Sequence, residues 1–327
     1  MHPIIQQDMD SIISTPLPWE RFAGKKVLIT GASGMLPAYM VDTLIYLNKH
    51  VLDKPAKVYA FCHNTQRALD RFSDYTERDL EIWVGDVSVP LNTEMKFDYI
   101  IHAASHASPT AYKADPIGTL LANTRGTEHL LNAAVGGKGF LYFSSSEVHL
   151  PLDTLDLRSC YGESKRMGEM MCTAWWYQAQ VPAKIVRISH TYGPGMRLAD
   201  GRVFADFVQD ILKGGPIVMH SDGSAVRPFL YLADATKAFF TVLLNGENGA
   251  AYNVANPSQT ISVRELANKL ADIYQLKVDI AYNEKQDSAS PNKTQLIIAD
   301  IDKLESLGWK PTTTIEEGFK RTVESYQ

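Results

Sequence analysis

From about residue 25 onward, short apolar runs of strand length alternate with longer stretches of helical periodicity. KKVLIT, KVYAF, LEIWVG, DYIIHA, GFLYFSS and AKIVRIS read as strands, each bounded by turn residues. MVDTLIYL, TLLANTRGTEHLLNAAV and YGESKRMGEMMCTAWWYQAQ have the spacing of helices. Strands joined through helical crossovers run parallel, so the pattern predicts an α/β, doubly wound fold. Beyond Tyr192-Gly193-Pro194 the alternation loosens. VFADFVQDILKG, ATKAFFTVLLN, VRELANKLADIY and IEEGFKRTVESY predict helices among short strands, as in a smaller α/β lobe. The chain therefore divides into a leader (1–24), a doubly wound unit (25–192) and a second lobe (193–327). No repeat, low-complexity tract or flexible linker separates the two lobes, so they should pack directly and leave a cleft between them.

Composition narrows the kind of partner. The 327 residues are 45% hydrophobic, enough for one large core or two adjoining ones. A formal net charge of -5 offers no overall field for nucleic acid or an anionic membrane surface, which favours a small-molecule ligand. Cys62, Cys160 and Cys172 show neither CxxC nor Cys/His ligand spacing; they predict free thiols, no metal and a reducing, cytoplasmic setting. The leader is acidic and broken by prolines, and no continuous apolar run reaches membrane-spanning length, so neither export nor membrane insertion is expected.

Candidate chemistry begins at the first strand. VLITGASGMLP places Gly31 and Gly34 where the backbone must turn tightly and approach a pyrophosphate at a helix N-terminus, with Ser33, Met35 and Leu36 in the same turn. The third glycine of a GxxGxxG pattern is replaced by Pro37. Proline in a first helical turn gives up an N–H that has no intrahelical partner there, so its cost is small. The strand KVYAF ends in Cys62-His63-Asn64, without the acidic residue that would hold a ribose 2′-hydroxyl. His63 and Arg67 suit a 2′-phosphate instead, which leaves NAD and NADP both open.

Tyr161 and Lys165 stand at i and i+4, one turn apart on a single helix face. An ammonium beside a phenol favours the phenolate, and this pairing predicts a tyrosine pKa lowered towards neutrality, fit to take a proton from a hydroxyl as hydride leaves the same carbon. The preceding strand ends Phe143-Ser144-Ser145-Ser146-Glu147-Val148, which brings hydroxyls and a carboxylate to the same place.

The order GxxG, HAAS, SSSEV, YxxxK and YGP resembles the extended short-chain dehydrogenases/reductases of the NAD-dependent epimerase/dehydratase family, which epimerise, dehydrate or decarboxylate nucleotide sugars. The likeness covers nearly the whole chain after the leader. In Ala104–Thr127, Arg158–Cys172 and Gly201–Asp234 it is strongest to the branch that decarboxylates UDP-glucuronate. The resemblance implies a Rossmann-type unit and a nucleotide-sugar-binding lobe. It makes Tyr161 the general base, Lys165 its electrostatic partner and holder of the nicotinamide ribose, and Ser145 the hydroxyl on the sugar O4. Ser146-Glu147 has the decarboxylase form, where 4,6-dehydratases carry Asp-Glu. His63, Asn64, Arg67, Asp86 and Val87 would surround the adenosine half of the cofactor, and Ala103, Ala104 and Ser105 would lie beneath it. Arg227 would clamp the substrate diphosphate, Tyr112 and Arg202 would approach the sugar and nucleotide, and His190 stands in the segment that contacts substrate. The implied reaction is oxidation at C4, loss of carbon dioxide from the resulting β-keto acid, and return of the hydride. C4 epimerisation and 4,6-dehydration are the rivals, and a non-catalytic dinucleotide sensor is the alternative of another class.

Some positions depart from the resemblance. His190 stands where asparagine is expected, and His149-Leu150 replaces Tyr-Gly. Only twelve residues separate Val148 from Tyr161, about half the expected loop. These changes predict a divergent branch whose sugar, base or reaction outcome differs. The apolar Met170, Met171, Trp175 and Trp176 predict a homodimer formed through the Tyr161 helix.

Overall fold

The six apolar runs become strands β1 (Lys26–Thr30), β2 (Lys57–Cys62), β3 (Glu81–Val84), β4 (Tyr99–His102), β5 (Gly139–Ser145) and β6 (Ala183–Ile188) in a computed structural model describing residues 1–150, 157, 159–199, 201–281 and 300–327. They are followed by β7 (His190–Tyr192), β8 (Ile217–Met219), β9 (Val226–Tyr231), β10 (Ala251–Val254), β11 (Thr260–Ser262) and β12 (Val278–Ile280). Seven strands form one sheet in the order β3-β2-β1-β4-β5-β6-β10, every neighbouring pair parallel. β4 and β5 are buried along their whole length, as parallel strands covered by helices on both faces must be. The direction of winding reverses between β1 and β4, and ligands of doubly wound sheets bind in the crevice at that point, outside the carboxyl ends of the strands.

The helices that the periodicity predicts fall in place, with one of them divided, and short helices at Thr65–Arg71 and Pro109–Ala114 and one in the leader were not expected. TLLANTRGTEHLLNAAV is two helices, Pro116–Asn123 and Arg125–Ala133, broken at Thr124. The Thr124 hydroxyl donates to the Leu120 carbonyl at 2.7 Å, a back-bond that bends a helix rather than extending it.

Residues beyond 192 do more than build the second lobe. β10 extends the large sheet, and the helix Leu232–Asn245, almost wholly buried, covers β5 and β6. The remainder forms the lobe proper: a sheet ordered β11-β9-β7, the pair β12-β8, and the helices Val203–Lys213, Val263–Tyr274 and Ile315–Glu324.

The leader is folded against this body. Its helix Pro3–Ile13 buries Asp8, Met9 and Ile12. Asp8 accepts from Tyr39 Oη at 2.8 Å, from Tyr231 Oη at 2.7 Å and from Arg321 Nη2 at 2.7 Å. Those donors belong to the helix after β1, to β9 and to the last helix, so one carboxylate joins both lobes. Among the described residues, no helix is long and apolar enough to cross a membrane, and all three cysteines are free thiols.

Candidate active site

The turn after β1 is built on a glycine that no other residue could replace without displacing backbone. Gly31 has φ +65°, and a Cβ there would meet Ala104 Cα at 2.8 Å. The β1 and β4 turns thus touch at the winding reversal, and Gly34 caps the helix Met35–His50, whose N-terminus faces the opening. Pro37 sits buried in the first turn of that helix.

Above this turn lies a cleft of about 860 Å³ between the lobes, within the usual size range of small-molecule sites. It is lined by Gly31, Ser33, Gly34, Met35 and Leu36 from the first turn, by His63, Asn64 and Arg67 after β2, by Asp86 and Val87 after β3, and by Ala103, Ala104 and Ser105 after β4. Ser145, Ser146, Glu147, Tyr161 and Lys165 form its middle, and Tyr112, His190, Arg202 and Arg227 its far side. Every candidate site residue of the sequence reading therefore reaches one cavity. The segment 151–156 and Arg158, within the shortened loop, lie outside the described residues.

The end of the cleft nearest the first turn fits a dinucleotide. Ser105 Oγ is buried there without a hydrogen-bond partner, as expected of a group that a ligand satisfies. Asp86 accepts from the Ser88 amide at 2.8 Å. Partial burial would raise its carboxyl, but the Ser88 hydrogen bonds, with His63 and His106 behind them, hold it below the ordinary value. Asn64 is partly committed to structure, since its side chain accepts from the Arg67 amide at 2.9 Å and caps a short helix. Burial and the nearby Arg197 depress the Arg67 guanidinium, so two cations converge at this mouth. Arg197 also lines the cleft and is a residue that motif reading missed. Its only signal was a cation just after the Gly193-Pro194-Gly195 turn.

Tyr161 is buried and its ring stacks on Tyr112, with centroids 5.3 Å apart at 12°. Here the expected electrostatics need correction. The Tyr161 phenol is raised above its ordinary value, by burial first and by the Glu147 carboxylate second, while a hydrogen bond from Ser145 and the charge of Arg202 pull it back. Lys165 lies 5.8 Å from the Tyr161 ring centroid and donates instead to the Phe143 carbonyl at 2.6 Å. Burial depresses the Lys165 ammonium to about 7, with Glu169 opposing. The i, i+4 spacing correctly placed the two side chains on one face but could not foresee how completely the site removes water. Glu147 is half-buried and near enough to influence Tyr161, so it is not a solvated strand end.

Two histidines complete the electrostatics. His102, at the end of β4, bonds through Nδ1 to Thr30 Oγ1 at 3.0 Å and through Nε2 to Thr127 Oγ1 at 3.1 Å. Burial and then the Lys165 charge lower its pKa to about 3. His190 is lowered to about 3 by burial and then by Arg227 and Arg202, and its Nδ1 is buried without a partner at the cleft wall. It enters the site as a neutral ring.

Four residues proposed for subunit pairing divide differently. Met170 is exposed, but Met171 and Trp175 pack on the second core cluster, and Trp175 Nε1 donates to Asn132 Oδ1 at 2.9 Å. Trp176 lies close over Gly249. The exposed apolar side chains on the adjacent helices Pro116–Asn123 and Ser159–Ala179 are Ile117, Leu120, Met167, Met170 and Tyr177.

A doubly wound sheet with a glycine turn at its winding reversal and a buried Tyr-x3-Lys pair above it defines a dinucleotide-dependent enzyme of the short-chain dehydrogenase class. Comparison with known proteins agrees. UDP-glucuronic acid decarboxylase 1 of Xenopus tropicalis is 30% identical over 327 residues, which span 93% of this chain and 72% of that one. Among solved structures, the epimerase Mth375 of Methanothermobacter thermautotrophicus superposes with a TM-score of 0.81 at 22% identity, covering 99% of this chain and 96% of that one. The Bordetella bronchiseptica enzyme WbmF, solved with NAD+ and UDP, gives 0.76 at 22% identity, with 94% and 93% covered. The model of the NAD dependent epimerase/dehydratase family matches residues 27–255, and the chain belongs to that family of NAD-dependent enzymes.

Proposed function

We propose that this enzyme decarboxylates a UDP-hexuronate through transient oxidation at C4. The observation that carries the reading is the grouping of Tyr161, Ser145 and Glu147 in one cleft, where the charges of Glu147 and Arg202 both act on the Tyr161 phenol and Arg227 lines the same cavity. Its similarity to decarboxylases of UDP-glucuronic acid supports the choice of sugar. A bound nicotinamide dinucleotide, NAD by family, supplies the hydride acceptor and donor. The Gly31–Gly34 turn would hold its phosphates, Ser105 would lie beneath it, and Lys165 would hold its nicotinamide ribose. Tyr161 takes the proton of the C4 hydroxyl, which Ser145 orients. With a ketone at C4, the C6 carboxylate is that of a β-keto acid, so the C5–C6 bond breaks with its electrons delocalised onto the ketone oxygen and carbon dioxide leaves. The enolate takes a proton at C5 from solvent water, and Tyr161 returns its proton to O4 as hydride is returned to C4. Arg227 and Arg202 hold the diphosphate, a task suited to planar forks of donors, and neutral His190 hydrogen-bonds beside them. Residues 193–327 serve mainly as the nucleotide-sugar lobe.

The test is incubation with UDP-glucuronate and NAD, followed by product mass. Loss of carbon dioxide is expected. Loss of water would assign dehydration, unchanged mass with a new sugar epimerisation, and either would overturn the decarboxylase reading. A homodimer through Ile117, Leu120, Met167, Met170 and Tyr177 belongs to the same proposal, as does a cytoplasmic setting consistent with free thiols.

A further inference from the structure

Behind the reacting pair lies a buried carboxylate that the steps above do not use. Glu169 stands one turn beyond Lys165 on the helix Ser159–Ala179, so Tyr161, Lys165 and Glu169 follow one another along a single face. Ser144 Oγ donates to its Oε1 at 2.5 Å. Arg187, on β6, donates from Nε to Oε1 at 2.9 Å and from Nη2 to Oε2 at 2.6 Å, the bidentate geometry of a strong pair. The serine is close to the chemistry. Ser144 directly precedes Ser145, and Phe143, one residue earlier, accepts from Lys165 Nζ. One carboxylate therefore joins the helix of Tyr161 and Lys165 to the strand end of Ser145 and Glu147, and both to β6.

Burying the Glu169 carboxylate carries a desolvation penalty that an apolar residue of similar volume would avoid, so packing alone does not account for it. Its helix neighbour Lys165 is a buried cation, whereas Arg187 is partly exposed. The groups that face Lys165 are Glu169 and Cys172 from its own helix, Tyr161, the Tyr142 ring of β5 at 5.0 Å, and His102 of β4. His102 is neutral, and burial pushes the Cys172 thiol and the Tyr142 and Tyr161 phenols up, so these stay uncharged near neutral pH. The ion-paired carboxylate of Glu169 is the anion of this group.

We propose that Glu169 is a positioning residue that keeps Lys165 protonated in a site stripped of water and holds the Ser144-Ser145 strand end against Tyr161. The effect on turnover rests on the Tyr161–Lys165 reading; the effect on Lys165 itself does not. The experiment follows the ε-methylene signal of Lys165 against pH by NMR in protein labelled with 13C-lysine, the signal assigned by its loss in Lys165→Met. In Glu169→Gln the midpoint should fall by about one pH unit or more, the direction and size expected when a nearby opposite charge is removed from a buried site and the Arg187 cation is left behind. The alkaline limb of turnover should move down with it. Ser144→Ala keeps the charge and loses only the strand-end bond, so it should slow turnover and leave the midpoint in place. An unchanged midpoint in Glu169→Gln would overturn the proposal and leave Glu169 a scaffold residue. If circular dichroism shows that Glu169→Gln does not fold, Glu169→Asp carries the test: the withdrawn carboxylate should lower the midpoint by a smaller step, and no shift overturns the proposal. Because the NMR readout needs no sugar, its failure is distinct from failure of the decarboxylase reading, which would appear as wild-type protein inert towards UDP-glucuronate.

Discussion

At the scale of single residues, the chemistry depends on groups whose neighbours change their character. Tyr161 is a better proton holder in this site than free tyrosine, because burial and Glu147 both disfavour its phenolate. On the proposed reading, proton transfer from a substrate hydroxyl therefore needs the ligand itself, with Ser145 and Lys165, to complete the electrostatics. Tyr161→Phe preserves the ring stacked on Tyr112 and removes the proton acceptor. Turnover should fall about 10²-fold or more while UDP-sugar affinity, measured by calorimetry, changes little; near-normal turnover would remove Tyr161 from its assigned role. Glu147→Gln keeps the shape and removes the charge. On the decarboxylase reading, the variant should still develop absorbance near ~340 nm on mixing with UDP-glucuronate, the signature of reduced cofactor, yet release carbon dioxide much more slowly. Wild-type rates for both would return Glu147 to a passive place.

At the scale of elements, the N-terminal helix is a structural clasp. Asp8 is 3% exposed and satisfies two phenols and a guanidinium drawn from three elements. Asp8→Ala strips two buried phenols and the partly buried Arg321 guanidinium, left with Glu317 at 3.7 Å, of their shared acceptor, a change of the kind that costs roughly 3–5 kcal/mol when such networks are broken. Urea unfolding should register a loss of that order, and a loss under about 1 kcal/mol would show that the helix docks through Met9 and Ile12 alone. The paired helices Pro116–Asn123 and Ser159–Ala179 present a different surface. Ile117 is 69% exposed, Met170 61% and Tyr177 86%, and the i, i+3 spacing of Met167 and Met170 puts them on one stripe. Light scattering of the wild type should report a dimer, and Met170→Glu should shift it towards monomer without loss of fold. A wild-type monomer at micromolar concentration would sink the interface.

For the whole molecule, pH stability should be governed on the acid side by the two buried histidines. Both His102 and His190 have folded pKa values near 3, against an ordinary value of 6.5. Between those limits the unfolded chain binds more protons than the folded one, so stability rises with pH across this window and is lost as pH falls from about 6.5 towards 3. A tenfold difference in proton affinity between the folded and unfolded chain is worth about 1.4 kcal/mol, so two such groups are enough to undo a typical domain stability. His190→Asn removes one of them, and its melting temperature should decline less steeply with acid than that of the wild type. An identical slope would mean that His190 titrates normally.

Much of this was legible in the sequence because it rests on local rules. Strand and helix periods located all six leading strands, since a doubly covered parallel sheet demands continuous apolar runs. Gly31 was legible because a left-handed turn and a 2.8 Å backbone approach admit only glycine, and Tyr161 with Lys165 because helix geometry alone puts i and i+4 on one face. What remained hidden depends on contacts between distant segments. The clasp of Asp8 joins residues more than two hundred positions apart, Arg197 reaches the cleft only through the path of the chain after β7, and β10 joins the large sheet from beyond the apparent lobe boundary. The direction in which Tyr161 titrates also lay beyond the sequence. Spacing sets which side chains are neighbours, whereas the extent of desolvation, which here outweighs the Ser145 hydrogen bond and the charge of Arg202, is a property of the closed tertiary fold.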